Sequence, residues 1–254
     1  MTDRIIVPIS GGKDSQACAK LAVKEYGADA VEGLFCDTKF EHPVTYTHID
    51  SISKMYGIHI HAICSGSVEL QVRKHKRFPS GGARFCTDRL KILPSNRFYQ
   101  DYALAYGDFE VWYGMRSGES SERQKRYAGK VGNDVYPPHE VLARYPQKLE
   151  KLGCMFRLPI LEWSESDVFE YLEGEENPLY RSGFSRVGCF PCLAAGDKAK
   201  EAAFRFDEVG RRNFELVRSL EPITGVSIFR SKSGQRRNDC GQSDLFEGCS
   251  FCSI

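Results

Sequence analysis

Residues 7–15 read Val-Pro-Ile-Ser-Gly-Gly-Lys-Asp-Ser, an apolar stretch that ends in a turn of glycines and hydroxyl side chains. Two glycines at a strand-to-helix turn expose backbone N–H groups, and these donors attract phosphate together with the positive end of the following helix. The spacing is not that of the Walker A loop, G-x-x-x-x-G-K-[ST]. The turn therefore predicts an anion site built from Ser10, Gly11, Gly12, Lys13, Asp14 and Ser15.

Strand and helix patterns alternate around this turn. Strands are predicted over 4–9, 30–36 and 58–63, and helices over 14–26 and 43–56, which stop at Gly27 and Gly57. Such alternation predicts an α/β fold with a parallel twisted sheet flanked by helices. Right-handed crossovers would place the glycine turn at the carboxyl edge of the sheet, where such folds bind ligands.

The remainder of the chain divides less clearly. Residues 65–84 lack periodicity and include the basic run 73–77, which predicts a mobile basic loop. A helix over 87–104 is interrupted by Pro94, and strands at 109–113 and 156–160 precede a helix at 167–172. Cysteine, glycine and arginine dominate beyond about residue 175. We predict an α/β domain over 1–160 and a smaller helical and irregular lobe, containing metal-ligand cysteines, over 161–254.

Composition limits the class of protein. The 254 residues are 41% hydrophobic and 27% charged, as in an ordinary soluble globular protein. A net charge of +1 excludes a strong global attraction to nucleic acid or anionic membrane, although a local basic patch is compatible with it. No apolar run is long enough to span a membrane, and the first residues do not resemble a leader peptide. We expect a cytoplasmic protein whose ten cysteines are reduced, redox-active or metal-bound.

Polar residues follow two further predicted strands. Asp37 and Thr38 come at the end of the second strand, where they either cap the next helix or contact a ligand. Gly114 and Arg116 follow the strand at 109–113, where a glycine permits close approach and an arginine can grip a phosphate through two parallel hydrogen bonds. Lys91 lies in the string Arg-Phe-Cys-Thr-Asp-Arg-Leu-Lys, which ends at that residue.

Four cysteines form two C-x-x-C pairs, Cys189 with Cys192 and Cys249 with Cys252. One pair brings two thiolates to a single metal, so two pairs give a complete four-sulfur site. Zinc, an iron–sulfur cluster, a redox dithiol and free thiols all remain open from spacing alone.

Several of these motifs resemble one known superfamily. The Ser-Gly-Gly-Lys-Asp-Ser turn resembles the PP-loop of ATP pyrophosphatases and of the phosphoadenylylsulfate (PAPS) reductase superfamily. The patterns C-T-x-x-L-K, G-x-R-x-x-E-S and G-C-x-P-C also recur there, in the same order, over about residues 4–195. The string at 84–91 is most similar to the ATP-pyrophosphatase component of bacterial DNA phosphorothioation systems. This resemblance implies an adenine nucleotide alpha hydrolase-like fold.

The resemblance also implies roles for individual residues. ATP and Mg²⁺ would lie on the PP-loop, with adenosine near Asp37 and Thr38 and phosphates near Gly114 and Arg116. Lys13, Lys91 and Arg116 would be catalytic, and Cys240 is a candidate sulfur nucleophile or metal ligand. A [4Fe–4S] cluster, with zinc as the second candidate, would be held by ligands drawn from Cys86, Cys189, Cys192, Cys249 and Cys252. Phe85 stands where adenylylsulfate reductases carry another cysteine, which departs from their four-ligand pattern.

Three functions follow from the resemblance. The first is an ATP pyrophosphatase that adenylates a DNA backbone phosphate for sulfur insertion, with a cysteine desulfurase and other modification-complex subunits as partners; tRNA is a variant substrate. The second is a PAPS or adenylylsulfate reductase that releases sulfite with thioredoxin. The third is a non-catalytic nucleotide-binding subunit.

Overall fold

A six-stranded sheet forms the centre of the protein, for which a computed structural model describes residues 4–229. The strand order is β3-β2-β1-β4-β6-β5, and every neighbouring pair is parallel except β5 with β6. The predicted α/β class with a parallel sheet is therefore confirmed. The strands are β1 (Ile5–Ile9), β2 (Val31–Asp37), β3 (His59–Cys64), β4 (Phe109–Trp112), β5 (Val135–Tyr136) and β6 (Cys154–Arg157).

Helices cover both faces of this sheet. A single π-helical turn, Asp88–Ile92, joins α4 to α5, so the chain remains helical through Pro94. No helix within residues 4–229 is long and apolar enough to cross a membrane. The helices are α1 (Lys13–Tyr26), α2 (Pro43–Tyr56), α3 (Val68–His75), α4 (Phe85–Thr87), α5 (Leu93–Tyr106), α6 (Ser121–Arg126), α7 (Pro138–Val141), α8 (Lys148–Lys151), α9 (Glu165–Leu172), α10 (Asp197–Phe206) and α11 (Glu208–Thr224).

The alternation of side chains along β1 divides the core between the two faces. Ile5, Val7 and Ile9 pack with α1, α2 and α9 on one face. Ile6 packs on the other face with Tyr99 of α5 and with residues of β4 and β6. Because both faces of β1 are covered, the strand is held rigidly and fixes the start of the glycine turn that follows it.

The segment 65–84 differs from the prediction. It contains the helix α3, in which Ser67 caps the amino end by accepting the backbone N–H of Leu70 at 3.1 Å. Val68 and Val72, four residues apart, are buried against α11 and its neighbours. The prediction of a loop was wrong over Val68–His75, because the exposed cations at 73–77 obscured a short amphipathic pattern.

The predicted lobe boundary lies between residues 160 and 161. Val168 and Leu172 of α9 share an apolar cluster with Ile160 and with β1 and α1. The last two helices, α10 and α11, pack instead on α3 and on Leu90. The division into an α/β domain and a smaller lobe stays a prediction. The helix α9, which follows the predicted boundary, packs against α1.

Candidate active site

The glycine turn connects β1 directly to α1 at the carboxyl edge of the sheet. Gly11 has a φ of +73°, a conformation that glycine adopts readily, and a Cβ there would lie 2.5 Å from Cγ2 of Thr45. Ser15 closes the turn, since its hydroxyl accepts the backbone N–H of Ser10 at 3.2 Å and donates to the carbonyl of Gly12 at 2.9 Å. The turn is thus held in shape by its own side chains.

The end of β4 passes directly against this turn. A Cβ on Gly114 would lie 2.5 Å from the carbonyl oxygen of Asp14, so glycine is required for the two backbones to approach. Two residues later, the side chain of Arg116 is almost fully buried and its Nε donates to Oδ1 of Asp14 at 2.6 Å. The structure therefore brings together the predicted phosphate-binding residues of both segments.

Lys13 is the second cation of the site, and its side chain is only 4% exposed. Its Nζ lies 3.2 Å from Oδ2 of Asp14 and 3.1 Å from Oε1 of Glu165, at the start of α9. The ammonium also lies over the rings of Phe169 and Tyr180. Two buried cations beside a helix amino end suit phosphate binding, and here two carboxylates balance their charge.

Residues that follow α9 support the turn from outside. The side-chain amide of Asn177 is fully buried and donates to the carbonyl of Gly11 at 3.1 Å. The hydroxyl of Tyr180 accepts the backbone N–H of Lys13 at 3.1 Å. Burial raises the pKa of Tyr180, so its phenol keeps its proton at neutral pH. These two side chains thus hold the glycine turn from a segment that is more than 160 residues away in the chain.

Asp37 and Thr38 have different surroundings. Burial raises the pKa of Asp37, but hydrogen bonds from Lys39 and from the hydroxyl of Tyr46 hold it below its ordinary value. Asp37 is thus an ionised acceptor at the end of β2. Thr38 is buried, donates to Glu41 at 2.7 Å and lies 3.3 Å from the sulfur of Cys189. Thr38 therefore contacts Cys189, and its hydroxyl proton is donated to Glu41.

Three predicted ligand cysteines, Cys86, Cys189 and Cys192, are half-buried in the region of Lys91, and we call them the thiol cluster. Burial raises the pKa of Cys86, and the neighbouring Cys192 raises it further. Burial also raises the pKa of Cys189 to about 11, although the nearby Lys91 opposes that rise. The fold thus brings together thiols that are more than a hundred residues apart in sequence.

Lys91 lies beside this thiol cluster. Burial alone would lower the pKa of Lys91, but Cys189 and Glu41 raise it above its usual value. The ammonium is therefore charged at neutral pH and faces thiols and a carboxylate. The catalytic role that the resemblance implies for Lys91 stays a prediction.

Over residues 4–229, no three Cys, His, Asp or Glu side chains are arranged so that they could hold a metal ion. The thiol cluster by itself thus does not fit a cluster or zinc site. Cys240, Cys249 and Cys252, the other predicted ligands or nucleophile, lie outside the described residues. Of the other four cysteines, Cys18 and Cys154 are buried and Cys36 is half-buried, whereas Cys64 is exposed at the end of β3.

Residues 4–195 match the protein family described as the phosphoadenosine phosphosulfate reductase domain. The chain belongs to this family. The predicted superfamily is thereby confirmed, and the match ends three residues after Cys192.

Similarity to individual family relatives is modest. An uncharacterised protein of Methanocaldococcus jannaschii is 29% identical over 197 residues, covering 75% of this chain but 36% of that protein. The phosphoadenosine 5′-phosphosulfate reductase of Buchnera aphidicola is 26% identical over 163 residues, covering 61% of this chain and 57% of that enzyme. The matched region thus spans little more than a third to about half of these relatives.

The fold is also that of a solved structure. The PAPS reductase from Candida auris, crystallised as a phosphate complex, superposes with a TM-score of 0.51 at 18% identity. The superposition covers 74% of this chain and 81% of that one. At this identity the likeness establishes the fold and leaves the activity to be argued from the site.

Sequence reasoning missed several residues of the site. Glu165 and Tyr180 contact Lys13, and Glu41 lies between Thr38 and Cys189. Thr45 is fully buried beside Gly11, and its hydroxyl oxygen has no hydrogen-bond partner among the described residues. Glu41 and Thr45 lie in none of the motifs described above, and the contacts of Glu165 and Tyr180 with Lys13 join segments more than 150 residues apart.

Proposed function

We propose that this chain binds ATP on the Ser10–Ser15 turn and cleaves it between the α- and β-phosphates, so that a nucleic-acid backbone phosphate is activated for sulfur insertion. The observation that supports the proposal is the convergence of two buried cations, Lys13 and Arg116, on one glycine turn at the carboxyl edge of the sheet. Such an arrangement suits an anion with several charges better than a neutral ligand.

In the proposed reaction, an oxygen of the backbone phosphate attacks the α-phosphorus of ATP. The bond from that phosphorus to the bridging oxygen breaks, and pyrophosphate leaves with the electron pair. Lys13, Arg116 and the N–H groups of the turn would stabilise the charge that develops on the leaving group. The outer sulfur of a cysteine persulfide then attacks the backbone phosphorus and displaces AMP. A second thiol attacks the inner sulfur of the resulting sulfur–sulfur bond, so that a disulfide forms and the phosphorothioate is released.

Several parts of this proposal depend on groups beyond the described residues. A cysteine desulfurase is the proposed sulfur source, and DNA and other modification-complex subunits are the proposed partners. Cys240 and the tail pair Cys249 and Cys252 remain candidates for sulfur transfer or for metal ligation. Mg²⁺, a [4Fe–4S] cluster and zinc are likewise predictions, and no step above is routed through them.

The direct test uses the full chain, purified anaerobically, with ATP, Mg²⁺, an oligonucleotide and a persulfide donor. We expect AMP and pyrophosphate in equal amounts, and strong loss of both in Arg116→Ala. The matched control is Arg126→Ala, which removes an exposed arginine of α6. Formation of ADP, or intact ATP after prolonged incubation, would contradict the proposal, and tight binding of uncleaved ATP would indicate the non-catalytic subunit.

A sulfonucleotide reductase is the second candidate, because relatives from Buchnera aphidicola and Anoxybacillus flavithermus carry such names. In that reaction the thiolate of Cys240 would attack the sulfate sulfur of PAPS or adenylylsulfate, and the nucleotide phosphate would leave with the electrons of the broken S–O bond. A thioredoxin thiolate would then attack the sulfur of Cys240, forming a mixed disulfide and releasing sulfite. Thioredoxin-dependent sulfite release that disappears in Cys240→Ser would establish this function over the first.

A further inference from the structure

A cavity of about 230 Å³ lies on the α3 and α5 side of the molecule. Its polar lining consists of Lys74, Arg89 and Arg97, together with Ser65 and Gln71, and we call these five residues the cationic pocket. Ser65 directly follows β3, so the pocket lies at the same edge of the sheet as the glycine turn. One strand, β2, separates β3 from β1, so the carboxyl ends of β1 and β3 are about 10 Å apart across the sheet.

The positive charge of this pocket is not balanced locally. Residues 65–97 contain eight lysines and arginines but only two carboxylates, Glu69 and Asp88. Each carboxylate is paired elsewhere, Glu69 with Arg73 and Asp88 with Arg144. In the described part of the chain, no carboxylate lies within ion-pair distance of the three cations of the pocket. The pocket thus carries a local excess of positive charge in a chain whose net charge is +1.

The lining of the pocket includes a further polar group, the side-chain amide of Gln71. The side-chain oxygen of Gln71 is buried and has no hydrogen-bond partner within residues 4–229. The oxygen and nitrogen of a glutamine amide can exchange places by rotation about the last side-chain bond. Rotated in this way, Gln71 would present two N–H donors beside three cations. An anion with several acceptor oxygens would satisfy all of these groups at once.

We propose that the cationic pocket binds a backbone phosphate of a nucleic-acid strand. This inference rests on the proposed function in taking a nucleic acid as the substrate. A strand is favoured over a single nucleotide because exposed cations continue beyond the pocket at Lys76, Arg77 and Arg84. The nucleic-acid strand would pass from the glycine turn to the pocket along the shared carboxyl edge of the sheet.

The test compares two triple variants of the full chain. The first, Lys74→Ala with Arg89→Ala and Arg97→Ala, removes the cations of the pocket. The control, Lys54→Ala with Lys148→Ala and Lys151→Ala, removes three exposed cations from α2 and α8, next to the amino ends of the strands that follow them. Fluorescence anisotropy with a labelled single-stranded oligodeoxynucleotide gives the affinity at several salt concentrations.

We expect the pocket variant to bind the oligonucleotide at least about tenfold more weakly, with a salt-dependence slope reduced by about 2, while the control resembles wild type. Equal affinity and slope in the pocket variant and wild type would overturn the inference. The inference would also be overturned if the triple substitution in the pocket weakened the binding of adenosine 3′,5′-bisphosphate but not that of the oligonucleotide. Should the triple variant not fold, the single variant Arg97→Glu provides the same comparison.

The two proposals can fail separately. Pocket-dependent oligonucleotide binding without release of AMP and pyrophosphate would uphold the pocket and reject the proposed reaction. If the chain releases AMP and pyrophosphate but the pocket substitutions leave oligonucleotide binding unchanged, the proposed reaction would stand and the pocket would be rejected.

Discussion

Arg116 donates through Nε to Oδ1 of Asp14 at 2.6 Å, although the two residues are 102 positions apart in the chain. Lys13 contacts the other oxygen of the same carboxylate. Asp14 therefore sits between the two cations that we assign to phosphate binding. An incoming phosphate must compete with Asp14 and with Glu165 for these cations, which makes the local carboxylates determinants of nucleotide affinity.

Glu165→Gln removes one of the two carboxylates that contact Lys13. The side chain of Glu165 is 57% exposed, so its ion pair contributes under about 1 kcal/mol and is screened by salt. We expect ATP and pyrophosphate to bind roughly two- to fivefold more tightly in this variant at low salt. Isothermal titration calorimetry gives the affinities.

The control for that experiment is Glu170→Gln, on the same helix and also exposed to solvent. It removes the same charge from α9 without removing a contact to Lys13. Tighter binding in both variants would point to a general charge effect, and unchanged or weaker binding in Glu165→Gln would refute the competition.

Gly114→Ala would place a Cβ 2.5 Å from the carbonyl oxygen and 2.6 Å from the carbonyl carbon of Asp14. Because these are backbone atoms, relief requires β4 and the first turn of α1 to separate. We expect a loss of about 1–3 kcal/mol of unfolding free energy, together with a large loss of nucleotide affinity. Thermal denaturation should show a midpoint lowered by several degrees.

Gly118→Ala is the matched substitution, since a Cβ there meets no atom within 4 Å. It should leave both the midpoint and the nucleotide affinity close to wild type. If the two alanine variants behave alike, the close approach of β4 to α1 is not what requires glycine at position 114.

Asn177 makes two hydrogen bonds that can be separated by substitution. Its amide nitrogen donates to Gly11, and its amide oxygen accepts the backbone N–H of Leu179 at 3.0 Å. Asn177→Ala removes both, and we expect it to cost about 1–3 kcal/mol because buried partners are left unpaired. Asn177→Asp keeps the acceptor for Leu179 but loses the donor to Gly11.

Urea denaturation and ATP titration of the two Asn177 variants check this account. If support of the turn is the main role, Asn177→Asp should lose nucleotide affinity as fully as Asn177→Ala. Wild-type affinity in Asn177→Asp would mean that the hydrogen bond to Gly11 has no part in shaping the site.

Asp207 links the start of α11 to the start of α2. Its carboxylate accepts from Nε2 of His42 at 2.8 Å and from the backbone N–H of Gly210 at 2.9 Å. Burial raises the pKa of Asp207, but these hydrogen bonds hold it below its ordinary value. A carboxyl group whose pKa is lower in the folded state stabilises the fold above its unfolded pKa, and the effect is lost as pH falls through the folded pKa.

Asp207→Asn retains a residue that caps helices but removes this titration. We expect the variant to be less stable than wild type at neutral pH, by about 1 kcal/mol or less, and the difference to shrink below about pH 4. Urea denaturation at a series of pH values measures it, with the exposed Asp101→Asn as control. A difference that is constant with pH would exclude the linkage.

Local patterns predicted the central elements well. The helix α2 has the predicted bounds Pro43–Tyr56, because Pro43 favours the first turn of a helix and Gly57 adopts the left-handed conformation after the last. The predicted strand at 156–160 is instead Cys154–Arg157, since apolar residues continue past the strand into a turn. The helix α3 was missed, because only two of its eight residues are buried.

The position and type of the glycine turn follow from local sequence alone. Glycines between an apolar strand and a helix leave few backbone conformations, and they place N–H donors at the start of the helix. Local sequence also determined the class of fold, because alternating strand and helix patterns admit few packings. The identity of the residues that surround the turn depends on how the strands and helices pack together. Asp14 meets Arg116, Asn177 meets Gly11 and Cys86 approaches Cys192 through the order of the strands, and contacts between distant segments leave no local periodicity for a pattern to reveal.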